Sequence, residues 1–276
     1  MDVRALDLIV PGVRRVEVRT PTLPPATHTN CVWLGDDDAI VVVDPASPYE
    51  EEQAALSRAL DGRDVAAILL SHHHIDHVSG AAALASTLRA RGQAAPIWAT
   101  RETAERVSMP VDRFLSDGEV LHIGHRNWEV LVTPGHAPGH VALLDASDGF
   151  AFAADLVAGV GTILLHPDEA DLDAYLASLD RLRTRGAMRL LPSHGPVLDD
   201  APAFLRAQIA HREARTQQVR ALLALGPSTP EALADTIYAS LPEPVRMLGA
   251  IQLRTHLAAL CNRGEAIERD GVWADA

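Results

Sequence analysis

The 276-residue chain has no lysine. All 24 of its basic residues are arginine, set against 37 acidic ones, and the formal net charge is −13. Nucleic-acid binding draws on counterions released when cationic side chains meet phosphates, so an acidic chain gains little from it, although net charge alone does not exclude a local basic groove. Cysteine is nearly missing too. Cys31 and Cys261 stand far apart and form no CxxC pair. A disulfide framework is therefore not indicated, and a reduced, intracellular protein is expected. No stretch approaches the ~20 apolar residues of a membrane helix. The first sixteen residues carry Asp2, Arg4 and Asp7 and no unbroken apolar core. No signal peptide is expected, and the cytoplasm is the expected address.

What is present is apolar substance: 47% of residues are hydrophobic. That supports a sizeable core and argues against disorder. The length allows one large domain, or a medium domain with a small one.

Residues 13–19 alternate as a strand does, and a Pro- and Thr-rich loop follows over 20–29. Two apolar runs, 31–34 and 39–43, flank Gly35-Asp36-Asp37-Asp38, a hairpin signal. Ser47 as cap, Pro48 and Glu50–Glu52 predict a helix to about residue 60. The unbroken apolar run 65–70 reads as a buried strand. A helix is expected over 78–91 and strands over 96–99, 120–123, 128–133, 141–145 and 150–154. A helix over 172–185, a strand over 189–191 and a long helix over 201–225 follow. The order suits two sheets packed face to face with helices outside, a four-layer αββα sandwich.

The rhythm then changes. Gly226-Pro227-Ser228-Thr229-Pro230 breaks the long helix, and Pro242 and Pro244 make a second break. Helices are expected over 230–238 and 245–263, ending at Gly264. The pairs Ala266-Ile267 and Val272-Trp273 flank Arg269-Asp270-Gly271 as a hairpin wing. The expected division is a catalytic domain over 1–205 and a helical linker with a winged-helix-like domain over 206–276. Leu248, Ile251, Leu253 and Leu257 are its expected core.

The strongest chemical signal is Ser71-His72-His73-His74-Ile75-Asp76-His77, directly after the strand over 65–70. Alternate residues point the same way, so His72 and His74 can reach one metal, and Asp76 and His77, past the turn, a second. Imidazole and carboxylate are suitable zinc ligands. One polar loop with one histidine would mean little; four metal-capable side chains in six residues are a different matter. A single loop cannot close two sites. His136 in Thr133-Pro134-Gly135-His136, Asp155, and His194 in Pro192-Ser193-His194-Gly195 each lie just beyond an expected strand.

In this order the seven residues resemble the metallo-β-lactamase superfamily, over residues 13–196. The resemblance implies that His72, His74 and His136 hold a first metal, that Asp76, His77 and His194 hold a second, and that Asp155 bridges them. It implies two divalent ions, zinc in the first place, with manganese or iron suited to the same ligands. It also implies a shared hydroxide, formed at neutral pH, as nucleophile, with Asp76 as a catalytic residue. Residues 21–33, the repeated Pro-Gly-His of residues 134–140, Gly159-x-Gly161-Thr162 and the terminal helices are similar to the lactamase-beta-2-like branch. That branch includes an animal protein associated with endoribonuclease activity, and its relatives include glyoxalase-II-type and polyketide thioesterases. Three residues depart from the usual pattern: Ser71 for Thr, Ala154 for Gly and Ser193 for Gly. They touch backbone fit rather than ligands.

Other histidines are read plainly. His73 should point away from its neighbours and serve structure. His140 suits a pocket role or a structural one, and Asp44 a supporting hydrogen bond or a turn. His166 reads as a surface loop residue, and His28, His122, His125, His211 and His256 as structural or solvated.

The expected function is metal-dependent hydrolysis of a thioester or related small ester. The alternative is an endoribonuclease or phosphodiesterase on single-stranded RNA, which the branch resemblance favours and the charge opposes. A non-enzymatic regulator would have no use for seven ligands. Hydrolysis of β-lactams would require export. The C-terminal segment has Arg246, Arg254 and Arg263 but no basic stripe, so specific DNA binding is not expected. It is read as packing against the cleft or joining two copies in a homodimer. No membrane partner is expected.

Overall fold

A computed structural model describes residues 6–36 and 39–276. Strands β1 (Asp7–Val10), β2 (Val13–Arg19), β3 (His28–Asp36), β4 (Ala39–Val43), β5 (Val65–Leu69), β6 (Ile97–Ala99) and β7 (Arg113–Phe114) form one sheet in that spatial order. It is antiparallel from β1 to β4 and parallel from β4 to β7. Helices α1 (Glu50–Ala59), α2 (Ile75–Val78), α3 (Ala81–Ala90) and α4 (Arg101–Ala104) fall between its strands. A second sheet, ordered β12-β11-β10-β9-β8, holds β8 (Val120–Ile123), β9 (Arg126–Val132), β10 (Val141–Asp145), β11 (Phe150–Ala154) and β12 (Arg189–Pro192). Helix α5 (Leu172–Thr184) precedes β12 and α6 (Ala201–Leu223) follows it.

Three apolar clusters separate four layers. Ile40 and Val42 of β4 face outward and meet Leu56 of α1 and Leu84 and Leu88 of α3. Val41 and Val43 face inward and meet Trp128, Leu143 and Phe152 of the second sheet. On the far side, Leu144 and Ala153 pack with Tyr175, Leu179 and Leu182 of α5. Burial on both faces explains why β4 and β5 read as unbroken apolar runs rather than alternating ones. Each such fully buried Leu or Val contributes on the order of 1.5–3 kcal/mol.

The chain ends with α7 (Pro230–Ile237), α8 (Glu243–Asn262) and the hairpin β13 (Ala266–Arg269) and β14 (Val272–Asp275). These share a fourth cluster with the end of α6, built on Val219, Leu223, Leu233, Leu253 and Leu257. Leu248 and Ile251, expected in that core, are only half-buried. Helix α6 serves two clusters, with Leu205 in the third and Val219 in the fourth. Among the described residues no helix is long and apolar enough to cross a membrane.

Two expected helices differ. The one read over 78–91 is split into α2 and α3 at Gly80. A Cβ there would lie 1.8 Å from the Pro45 carbonyl oxygen, so the glycine lets this turn lie against the loop after β4. The helix read from Ser47 starts at Glu50 instead. Ser47 Oγ donates to the Arg19 carbonyl (2.6 Å) and accepts from the Tyr49 N–H (3.2 Å), locking the loop rather than capping the helix. The short β1, β7 and α4 carry no periodic signal in the sequence. Asp2, Arg4, Asp37 and Asp38 lie outside the described residues.

Gly80→Ala should lower the unfolding free energy by about 1–3 kcal/mol through overpacking; urea titration that finds wild-type stability would contradict the contact. A second expectation concerns acid. His256 is buried on α8, with its Nδ1 2.8 Å from Thr216 Oγ1. Burial, followed by the Arg212 and Arg215 charges, pushes its pKa down to about 3. The unfolded chain binds this proton near the ordinary histidine value, so stability is full above about pH 6.5 and is lost as pH falls toward 3, by up to ~1.4 kcal/mol per pH unit. His256→Leu should flatten that part of the acid limb, and an unchanged slope would show that this ring does not contribute.

Candidate metal centre

Strands β4 and β5 are parallel neighbours, so their C-terminal ends reach one edge. Strands β9, β11 and β12 all run the same way, because β10 is antiparallel to both β9 and β11 while β12 is parallel to β11. Bonds between the sheets bring the two edges together. The Asn30 N–H donates to the Ser193 carbonyl (2.7 Å), and the Val141 N–H to the Ser71 carbonyl (2.9 Å). The buried Asn30 amide adds bonds to the Pro192 and Gly195 carbonyls (2.8 and 2.9 Å). The loops after β5, β9, β11 and β12 thus meet at one place, carrying His72 to His77, His136, Asp155 and His194.

Each histidine there gives one ring nitrogen to the protein. His77 Nδ1 donates to Asp44 Oδ2 (3.0 Å), His136 Nδ1 to the Leu164 carbonyl (3.2 Å), and His194 Nδ1 to the His28 carbonyl (2.9 Å). His74 Nε2 donates to Glu169 Oε1 (2.6 Å). Ser71 Oγ gives its hydrogen to Asp44 Oδ2 (2.5 Å), which leaves its lone pair to accept from His72 Nδ1 (3.0 Å). Such partners set the tautomer and leave the other nitrogen as a lone pair.

Those other nitrogens converge. His74 Nδ1 lies 3.0 Å from both His72 Nε2 and His136 Nε2. Three lone pairs aimed at one point repel one another unless a cation lies between them. Asp76, His77 and His194 form a neighbouring group, with Asp76 Oδ1 3.8 Å from His77 Nε2 and Asp76 Oδ2 3.5 Å from His194 Nε2. Asp155 Oδ2 touches both groups, at 3.5 Å from His77 and His194 Nε2 and 3.7 Å from His136 Nε2. Asp155 Oδ1 and His77 Nε2 are buried without a hydrogen-bond partner. The donor set therefore fits divalent cations.

The electrostatics differ between the groups. Burial, reinforced by neighbouring rings, holds His72 well below the ordinary histidine range. Burial lowers His136 to about 4, despite the opposing pull of Asp155. Both rings are thus neutral, as ligation requires. Burial also opposes charge on His77 and His194, but Asp155 outweighs it and raises both. Asp155 is in turn held well below the carboxylate range, since His77 and His194 overcome its burial. These rings take up positive charge beside the carboxylates, as a proton or as a metal in its place.

Several supporting residues were ambiguous or invisible in the sequence. The Asp44 carboxylate also accepts from the Ser71 N–H (2.8 Å), so it ties Ser71, next to His72, to His77. His140 is buried and neutral; its Nε2 accepts from the Asp155 N–H (3.1 Å), and its Nδ1 lies 2.8 Å from Thr133 Oγ1. His73 points to Glu169 Oε2 (2.9 Å). Asn30 and Glu169 gave no signal, because their partners are 165 and 95 residues away. Ala154 sits at φ +44°, a left-handed conformation that glycine adopts without cost, at the position before Asp155. His166 is exposed at the mouth of the cleft.

The model of the metallo-beta-lactamase superfamily matches residues 24–194. The chain is 25% identical to a Caenorhabditis elegans beta-lactamase-like protein 2 homolog over 95% of this chain and 88% of that one. It is 26% identical to an Aspergillus fumigatus atrochrysone carboxyl ACP thioesterase, over 88% of this chain and 79% of the other. A crystal structure of a beta-lactamase domain protein from Burkholderia ambifaria superposes with a TM-score of 0.84 at 23% identity, covering 98% of this chain and 93% of that one, and so shares the fold. Four loops from two sheets, aimed at one point with metal-capable side chains, stand inside the matched segment, and the chain belongs to the metallo-beta-lactamase superfamily.

Proposed function

We propose that this metallo-beta-lactamase-fold hydrolase holds two divalent ions and cleaves a thioester or related small ester. His72, His74 and His136 would hold one ion, and Asp76, His77 and His194 the other, with Asp155 shared. The convergence of three inner ring nitrogens on one point, their outer nitrogens already bonded, carries this reading. When bound, such a pair supplies an ionised water and polarises the scissile carbonyl. Zinc is the preferred ion, and the ligand types suit manganese and iron as well.

Asp76 lies on the cleft floor, and its carboxylate keeps some contact with solvent. There it orients the attacking water and can hold its proton. Asp155 is buried deeper and fixes the spacing of the two groups. The cavity above them measures about 350 Å³, and Leu23, Pro24, Pro25, Ile75 and Val160 contribute to its wall. Leu23, Ile75 and Val160 are exposed apolar side chains around this one opening. Among the described residues, the cavity wall holds no arginine. Single-stranded RNA is bound through a cationic groove and stacked bases. This wall offers an apolar acyl group a better fit, and the relative named as an acyl-carrier thioesterase agrees with it.

We take residues 1–205 as the catalytic domain and 206–276 as a helical linker and winged-helix-like unit. Cytoplasmic residence accords with Cys31 and Cys261, both free thiols.

Metal-replete purification should give two equivalents per chain by elemental analysis. A single equivalent, or a crystal structure with Asp155 turned away from the histidines, would sink the dinuclear reading. The purified chain should turn over acyl thioesters and leave RNA and simple phosphodiesters intact. Asp76→Ala should cut thioester turnover by roughly 10²–10⁴-fold, with an unchanged far-ultraviolet dichroism spectrum. Near wild-type turnover from a metal-replete Asp76→Ala chain would refute its role.

A further inference from the structure

Two of the histidines at the centre lean on one loop. The Leu164 carbonyl accepts from His136 Nδ1, and Glu169 binds both His74 and His73. Residues 163–169 therefore set the orientation of two of the three rings that converge on a point. The loop belongs to no strand or helix, so something must hold it.

What holds it comes from the C-terminal helices. Gln252 Oε1 on α8 accepts from the Leu165 N–H (3.0 Å). One turn further along α8, Thr255 Oγ1 donates to the Leu165 carbonyl (2.6 Å). Arg212 on α6 donates to the Ile163 carbonyl (2.6 Å). The residue between these clamped neighbours is Leu164. Its carbonyl is thereby aimed at His136 from both sides. Arg212, Gln252 and Thr255 are all buried, as a solvent-facing helix surface would not require. Beyond the clamp, the Glu169 and Ala170 N–H groups donate to the His166 carbonyl (3.2 and 2.8 Å), forming the turn that presents Glu169. The Asp171 N–H then closes onto the Gly135 carbonyl (3.0 Å), beside His136.

We propose that the C-terminal helices position the metal centre: Arg212, Gln252 and Thr255 are positioning residues that act through residues 163–169 on His136 and His74. The His72–His74–His136 group depends on this support. The group of Asp76, His77 and His194 does not, because its outer partners are Asp44 and the His28 carbonyl on the opposite sheet. The C-terminal segment is on this account part of the metal-binding machinery and not a separate module. The proposal rests on the ligand assignment above.

The test is zinc binding to the full-length chain, stripped by chelation and titrated with Zn²⁺ against a chromophoric chelator. Thr255→Val and Gln252→Leu should weaken one of the two equivalents by about 10–100-fold, the usual effect of removing an outer-shell partner. The other equivalent should keep its wild-type affinity. Thr255→Ser retains the hydroxyl and should bind both ions as wild type does. Folded variants that bind both equivalents unchanged would overturn the proposal, as would equal weakening of both. Should Thr255→Val fail to fold, Gln252→Met removes a single bond at nearly constant volume and is read the same way. A wild-type chain that binds no zinc would instead end the ligand assignment itself, so the two failures are distinguishable.

Discussion

An imidazole has two nitrogens, and the arrangement around this centre follows from how they are divided. Each ring binds a protein acceptor through one nitrogen, which directs the other inward as a lone pair. Five acceptors are needed, and they come from widely separated places: Asp44 after β4, the Ser71 hydroxyl, the His28 carbonyl on β3, the Leu164 carbonyl and Glu169. The two sheets, their connecting loops and the C-terminal helices must all be in register for the rings to converge. An error of one residue in β3 or β5 would turn these side chains to the other face.

The sandwich supplies that register through apolar packing on both faces of each sheet. The inner cluster aligns the strand ends, and the cross-sheet bonds of Asn30 and Val141 complete the alignment. Burial has an electrostatic consequence as well. Burial keeps His72 and His136 neutral, while His77 and His194 hold Asp155 well below the carboxylate range against its own burial, so the centre favours a cation. The stability of the core and the affinity of the centre are therefore linked, since loosening the sheets would let water reach groups that depend on its exclusion.

Charge tells the same story at larger scale. A chain of net charge −13 without lysine places its arginines mainly in local pairs, such as Arg126 with Asp145 and Asp148, or Arg246 with Asp235. Arg212 is used inward, on a backbone carbonyl, instead of facing a ligand. None of these lines the cleft, and the exposed Leu23, Ile75 and Val160 stand around its opening.

The sequence by itself determined the seven metal-capable side chains and their order, because His72 to His77 are close in the chain and His136, Asp155 and His194 each follow a recognisable strand. It also gave nearly all the strands and the C-terminal helices, since turn residues and apolar periodicity are local signals. The split at Gly80 was hidden, because an alanine-rich run looks helical throughout, and the close approach to the Pro45 carbonyl that requires a glycine there exists only in the folded chain. The roles of Asp44, Asn30, Glu169 and the α8 clamp were decided by tertiary structure alone. Their hydrogen bonds span about 27 to 165 residues of chain, and no local pattern marks a polar side chain whose partner is supplied by another layer. For the same reason His140 could not be assigned from its motif: its function depends on the Asp155 N–H, which reaches it only once β10 and β11 are paired.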